Sequence, residues 1–366
     1  MATRPHVISS PVPHHATFHI PSLDGLRAVA VLIVFFSHVA LTGLVPGGFG
    51  VTIFFFLSGF LITTLLRLEG EQTGTISLRN FYLRRGLRIL PLMYIVLTAA
   101  SIATRVIGAP LTGSVVTRQA LHLTNYLVLN FNAHAGVGFP IGTIVLWSLA
   151  IEEHFYLLFP IAFAALRRRL PQPEKQAAVL LAACAVLLAW RCVLILRWHV
   201  DPEYVMHATD TRIDSILFGC ALALWRNPAL PGPQWSDRTV AWACGAALLV
   251  LVGTILPRNV AFRETVRYSI QGLALFPVFI AAIRFPHALP FRILNLRPVS
   301  FIGVISYGLY LVHLPIILLL RGATGWPEWR LAGVSLVVAL SVATLLYRTV
   351  ERPCARLRRR LAVVKT

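Results

Sequence analysis

Apolar residues run through this chain in blocks of about twenty, separated by short polar stretches. A helix needs roughly 20 residues to cross a hydrocarbon core of about 30 Å. Ten blocks come near that length: residues 23–43, 48–67, 86–105, 142–165, 177–197, 211–226, 239–257, 268–285, 300–320 and 331–350. The pattern predicts an all-α fold, a polytopic transmembrane helical bundle of about ten helices. The sixth block is short for a crossing. A long connection, 106–141, separates the third and fourth, with room for a short helix or a re-entrant piece. The expected organisation is a tail over 1–21, a transmembrane domain over 22–353 and a basic cytoplasmic tail over 354–366.

Composition strengthens this picture. Hydrophobic residues make up 57% of the 366 residues and charged ones 13%, with a mean hydropathy of +0.73. That balance excludes an ordinary soluble domain. The net charge of +19 points to lipid rather than nucleic acid, because the basic residues cluster between apolar blocks, as in RNFYLRRGLR and RRRLPQPEK. With the N-terminus inside, 22 of the 33 Lys and Arg fall on the inner side and 9 outside. The positive-inside rule then places both termini in the cytoplasm, for an integral protein of the bacterial cytoplasmic membrane. Cys184, Cys192, Cys220, Cys244 and Cys354 have no paired spacing, so free thiols and no metal are expected. The Pro- and His-rich N-terminal tail lacks the features of a signal peptide. Its composition favours a disordered segment over a metal site at His14, His15 and His19.

Ionisable residues inside spans are costly unless they face a cavity or a partner. In SLDGLRAVAVLIVFFSH, Arg27 and His38 lie eleven residues apart, which in a helix returns to nearly the same face after ~16 Å of rise. Arg27 can pair with Asp24 or snorkel to the interface, and a neutral His38 bonded to a neighbouring helix is the plainer alternative. In GGFGVTIFFFLSGFLIT, Gly47, Gly48 and Gly50 allow close approach, while Ser58 and Gly59 place small residues on the second helix. Tight helix packing accounts equally well for such residues. NFYLRRGLRILP puts Arg84, Arg85 and Arg88 at the cytoplasmic mouth of the third span. They suit either anionic lipid or the phosphates of a cytosolic donor.

WSLAIEEHFYLLFP carries Glu152, Glu153 and His154 in an apolar helix. Three consecutive ionisable residues cannot all face lipid, since neighbours in a helix are about 100° apart. ATDTRIDSILFG brings Asp210, Arg212 and Asp214 into the sixth span, and ISYGLYLVHLP contributes Ser306, Tyr307, Tyr310 and His313. These serve either as an acceptor-side group or as an interfacial belt and a charge pair that locks helices. Depth along the spans sorts the set into an inner group of Arg27, Arg84, Arg85 and Arg88, with Glu351 and Arg352 nearby. The outer group is His38, Glu152, Glu153, Asp210, Arg212, Asp214 and His313. One end is suited to an anion, the other to acid and base chemistry.

Taken in order, LDGLRAVAVLIVFFSH, GVTIFFFLSGFLIT, FYLRRGLRILP, WSLAIEEHFYLLFP, TRIDSILFG, SYGLYLVHLP and YRTVERP resemble the acyltransferase-3 family of membrane-bound O-acyltransferases. The resemblance implies ten or so helices, an acyl-CoA donor, and an arginine and a histidine on the first helix required for activity, which map to Arg27 and His38. One position departs: Thr52 stands where the family usually has aspartate after the glycines. The chain also ends RLRRRLAVVKT soon after its last span, so members with a fused extracytoplasmic esterase-like domain are not the expected model.

The resulting expectation is transfer of an acetyl or other short acyl group from acyl-CoA, with acetyl-CoA the simplest co-substrate and no permanently bound cofactor. The acceptor is a hydroxyl of a carbohydrate or glycosylated compound, such as a polysaccharide, a glycolipid or a macrolide sugar. His38 would act as general base, with Glu152 or Glu153 orienting or stabilising the imidazole. Arg27, Arg84, Arg85 and Arg88, with Ser58, would form the donor side. Asp210, Arg212, Asp214, Tyr307 and His313 would support the acceptor side. No G-x-S-x-G elbow is present, so direct transfer is preferred to a Ser or Cys acyl-enzyme, with an acyl-histidine left open. The ~16 Å between Arg27 and His38 predicts a tunnel for the donor's pantetheine arm. The alternative class is a proton-coupled transporter of a small polar or glycosylated compound, against which stands the lack of an inverted repeat.

Overall fold

The computed structural model describes residues 20–39, 43–128, 138–257 and 259–363, with side chains as far as Arg358. The His-rich segment 1–19, with His14, His15 and His19, lies outside the described residues, as do 129–137 and the last three residues. Among the described residues, regular structure is helical throughout.

Each of the ten apolar blocks contains a helix. They are labelled α1 (Leu23–His38), α2 (Gly47–Thr73), α3 (Leu78–Val106), α4 (Leu146–Arg169), α5 (Pro173–Cys192), α6 (Asp214–Trp225), α7 (Asp237–Gly253), α8 (Val266–Arg284), α9 (Ser306–Thr324) and α10 (Glu328–Leu346). Among the described residues, seven of the spans are long and apolar enough to cross a membrane, so the chain is an integral membrane protein. The other three, α1, α6 and α7, have 16, 12 and 17 residues. The 106–141 connection contains two short helices, Gly113–Ala120 and Thr124–Val128. A wider π-type turn extends α5 over Val193–Arg197, and another joins α10 to a basic helix starting at Arg352. The five cysteines are free.

Burial separates centre from periphery. In α2 and α8, 72% of the apolar window is buried, against 22% along α5 and its extension. Helix α2 packs against α1 and α6, α6 against α5 and α8, and α9 against α10 and α1. The α2–α6 crossing depends on glycine. A Cβ on Gly59 would come within 2.0 Å of the Ile216 carbonyl oxygen, and one on Gly219 within 1.9 Å of that of Phe56. Around the crossing the Phe56 and Phe279 rings meet at a tilt, with centroids 4.5 Å apart.

Two local devices set the ends of the site-bearing helices. Ser22, at φ 66°, opens α1; its N–H donates to Asn295 Oδ1 at 2.9 Å while Asn295 Nδ2 donates to Ser22 Oγ at 2.8 Å. Gly142, at φ +69°, lets the chain before α4 press on Pro315 of α9, where a Cβ would meet the Pro315 nitrogen at 2.3 Å. Positive φ with so close a backbone leaves room for glycine alone. The contact brings the start of α4 beside the middle of α9.

Candidate active site

The end of α1 and the middle of α9 place two imidazoles side by side. His38 Nδ1 lies 2.8 Å from the Val34 carbonyl oxygen and 3.4 Å from His313 Nε2. His313 Nδ1 lies 2.6 Å from the Tyr310 carbonyl oxygen. Carbonyls only accept, so the hydrogen sits on Nδ1 of each neutral ring. The single Nδ1 hydrogen of His38 is directed to Val34, with the His313 Nε2 lone pair 3.4 Å away as a second, longer acceptor, and the lone pair of His38 is at Nε2. That is the form a general base requires.

His38 lines a cavity of about 450 Å³. Around it stand Ser37 from α1, Gly47, Gly48 and Val51 at the start of α2, Val145 and Trp147 at the start of α4, and Tyr310 of α9. The Tyr310 hydroxyl is 2.6 Å from Ser148 Oγ and donates to the Val145 carbonyl at 3.0 Å. A further wall is Glu203, Met206 and His207, from the short helix Pro202–His207. The sequence reading missed this wall. Its only signal was an acid and an imidazole four residues apart in a polar connection.

A second polar group occupies the other end of the bundle. The Tyr156 hydroxyl donates to Ser58 Oγ at 3.0 Å, and Ser58 donates to Glu152 Oε1 at 2.5 Å. The Arg85 guanidinium lies over the Tyr156 ring at 3.7 Å. Arg85 and Arg88 are in electrostatic range of Glu152, and Arg27 and Arg85 of Arg88. Arg27 is ion-paired with Asp24. Glu351 faces Arg88 from the π-type turn. Glu153 Oε1 and Arg85 Nε are buried without a hydrogen-bond partner.

This arrangement differs from the expected one. Glu152 and Glu153 belong with the inner arginines, not beside His38. The reason is depth: α4 starts at Leu146, beside the cavity that His38 lines, and six residues carry Glu152 ~9 Å along the helix toward the arginines. The partner of His38 is instead His313. Tyr307, in the first turn of α9, donates to the Ile89 carbonyl at 2.8 Å and stands near Glu153 and Glu351, which also puts it in the inner group. Arg84 pairs with Glu69 at 3.0 Å at the surface, apart from Arg85 and Arg88. His154 turns to the 106–141 connection, 2.8 Å from Thr209 Oγ1 and stacked on Tyr126.

Residues 20–348 match the family described as an acyltransferase domain. The chain belongs to the acyltransferase-3 family. It is 30% identical to the peptidoglycan O-acetyltransferase OatA of Listeria monocytogenes over 351 residues, 92% of this chain and 56% of that relative. It is 29% identical to the Bacillus subtilis protein YrhL, named a putative peptidoglycan O-acetyltransferase, over 357 residues, 93% and 56% of the two chains. Its identity to the O-acetyltransferase OatA of Staphylococcus aureus (strain NCTC 8325 / PS 47) is 30% over 351 residues, 92% and 57%. The chain thus spans little more than half the length of these relatives. No solved structure matches it.

Within this acyltransferase-3 chain the remaining acidic and basic residues hold helices together. Asp214 pairs with Arg191 at 2.7 Å, both with no exposure, and Arg191 also donates to Thr211 O, Thr265 O and Ser269 Oγ. Asp210 accepts from Trp190 Nε1 at 2.8 Å and from the Tyr204 hydroxyl at 3.2 Å. Arg212 donates to Thr52 Oγ1 at 3.2 Å and lies 3.6 Å over the Tyr268 ring. The position where the family usually has aspartate therefore faces a buried arginine. Of the two readings of this group, these contacts favour the charge pair that locks helices.

Proposed function

We propose that this chain is a membrane O-acyltransferase that moves a short acyl group, acetyl in the simplest case, from acyl-CoA to a carbohydrate hydroxyl. The carrying observation is His38 in the wall of a cavity beside His313, with Nδ1 on the Val34 carbonyl, which leaves Nε2 of the neutral ring unprotonated. Membership of an acyltransferase family and relatives named O-acetyltransferases support the reading over a transporter.

In the proposed reaction His38 Nε2 takes the proton of the acceptor hydroxyl as its oxygen attacks the thioester carbonyl. Collapse of the tetrahedral intermediate breaks the C–S bond, and the proton passes from His38 to the leaving thiolate. The products are the O-acyl ester and free CoA. Arg27, Arg85 and Arg88 supply positive charge for the donor's phosphates, and arginine suits phosphate because its planar fork makes two hydrogen bonds at once. Ser58, Tyr156 and Glu152 hold the arginines' surroundings polar. Tyr310 stands between the groups: it lines the cavity and is in electrostatic range of Glu152. The donor's arm is proposed to reach the cavity past this residue.

Thiol release from acetyl-CoA by the purified chain, with a panel of glycoside acceptors, tests the reading. A general base contributes about 10²- to 10⁴-fold, so His38→Ala should lower kcat by that much. His313→Ala should lower kcat on the order of tenfold with little change in KM. His313→Gln should restore much of it, because its amide oxygen accepts from His38 Nδ1–H as the imidazole does. Equal rates in wild type and His38→Ala would remove the base assignment.

A further inference from the structure

The Glu203 and His207 wall of the cavity has the chemistry of a sugar-binding face. His207 Nδ1 lies 2.9 Å from the Glu203 carbonyl oxygen and 3.2 Å from Glu203 Oε2. Both oxygens accept, so Nδ1 carries the hydrogen and the ring is locked against its own helix. The Trp147 indole meets that imidazole edge-on, with centroids 4.6 Å apart. His207 is 5% exposed, whereas the Glu203 side chain keeps 46% exposure while lining the cavity. The hydrogen bond from His207 holds the Glu203 carboxyl below the usual carboxylate range. The carboxylate has one oxygen committed to His207 and lone pairs to spare for hydroxyl donors.

The charge of the lining narrows the ligand. Among the described residues around the cavity there is no lysine or arginine, and Glu203 is the one carboxylate. Two cations stand nearby: Arg321 reaches the His38 carbonyl at 3.4 Å and is paired with Glu328 at 3.0 Å, and Arg263, in electrostatic range of Glu203, lies 3.8 Å from Glu264. An acceptor carrying its own carboxylate would meet the like charge of Glu203 in a lining that offers no lysine or arginine, which disfavours binding. A neutral pyranose offers vicinal hydroxyls to Glu203 and C–H surface to Val51 and Met206.

We propose that Glu203, positioned by His207, is a specificity-determining residue of the acceptor site: it binds ring hydroxyls of a neutral sugar and excludes sugars that carry a carboxylate. The inference rests on the acyltransferase reading for the cavity's role, and its test separates the two. Binding is read by saturation-transfer NMR on the full chain in lipid nanodiscs, with p-nitrophenyl β-D-glucopyranoside and p-nitrophenyl β-D-glucuronide as probes. They differ only in CH₂OH against carboxylate. Wild type should bind the glucopyranoside at least about tenfold tighter than the glucuronide, since a hydrogen bond to a charged group is worth about that factor or more. Glu203→Gln, of the same shape, should weaken glucopyranoside binding about tenfold and narrow the preference. Glu203→Lys should reverse it, a gain that misfolding cannot imitate. Equal binding of the two probes by wild type, binding of neither, or an unchanged preference in Glu203→Lys would overturn the proposal. Thiol release from acetyl-CoA is measured in parallel. Its failure beside an intact probe preference would remove the acyltransferase reading and leave the recognition face.

Discussion

Arg212 brings a guanidinium to 1% exposure with Nε and Nη1 lacking hydrogen-bond partners. A buried charge is tolerated where something answers it. Here the answer is shared among the Tyr268 ring, itself bonded through its hydroxyl to Glu264 at 2.7 Å, the Thr52 hydroxyl, and the field of Asp214. Thr52 is fully buried and its hydroxyl also donates to the Gly48 carbonyl at 3.0 Å, so it offers Arg212 an uncharged acceptor. A carboxylate there would add the attraction of a close ion pair to the charge-assisted bond. Thr52→Asp is therefore expected to stabilise the fold by about 1–3 kcal/mol, read as a higher thermal unfolding midpoint in detergent. A lower midpoint would mean that the aromatic face already satisfies Arg212 and that desolvating a second charge dominates. The sequence showed the unusual threonine, but not its partner, because Arg212 is 160 residues away in the chain.

Among the helices, the α2–α6 crossing sets the geometry of the site. Ser58 and Gly59 are neighbours about 100° apart on α2, and they divide the two readings of small residues between them. Gly59 lies against the Ile216 carbonyl, while Ser58 turns to Glu152 and Tyr156. Overpacking a well-packed contact costs typically 1–3 kcal/mol, and here the obstacle is backbone that cannot rotate away. Gly59→Ala and Gly219→Ala should each lower stability by at least about that amount and reduce the folded yield from membranes. Gly48→Ala, with nothing within 4 Å of the added Cβ, should leave stability unchanged. Yields and unfolding midpoints of the three variants side by side are the measurement, and a tolerant Gly59→Ala would show that the helices can separate. Glycine spacing made the close approach legible. The break at Ile305, which separates Arg297–Val304 from α9, was not, since apolar character runs unbroken through it. The wall at Glu203 and His207 was equally hidden, because a six-residue helix leaves no periodicity to read.

For the whole molecule, periodicity and block length were enough to give the ten helices, and the motif order gave the family. Depth along each helix proved harder: a residue's height depends on where its helix starts, and Leu146 opens α4 only after the turn at Thr143–Val145. Once Glu152 moves inward, the arginines, Glu152 and Glu351 form one charged end, and His38 with the Glu203 cavity forms the other. A cytosolic acyl-CoA donor requires the arginine end to face the cytoplasm, which is the orientation that the basic loops predict. Cysteine labelling in intact cells decides it. In a background with the five native cysteines replaced, Ser114→Cys and Gln72→Cys place single thiols at exposed positions on opposite ends of the bundle. A membrane-impermeant maleimide should label Ser114→Cys in intact cells and Gln72→Cys only after permeabilisation. The reverse pattern would turn the arginine end away from the cytosolic CoA pool. Arg27, Arg85 and Arg88 would then lose their phosphate role, and the donor would have to enter through the His38 cavity instead.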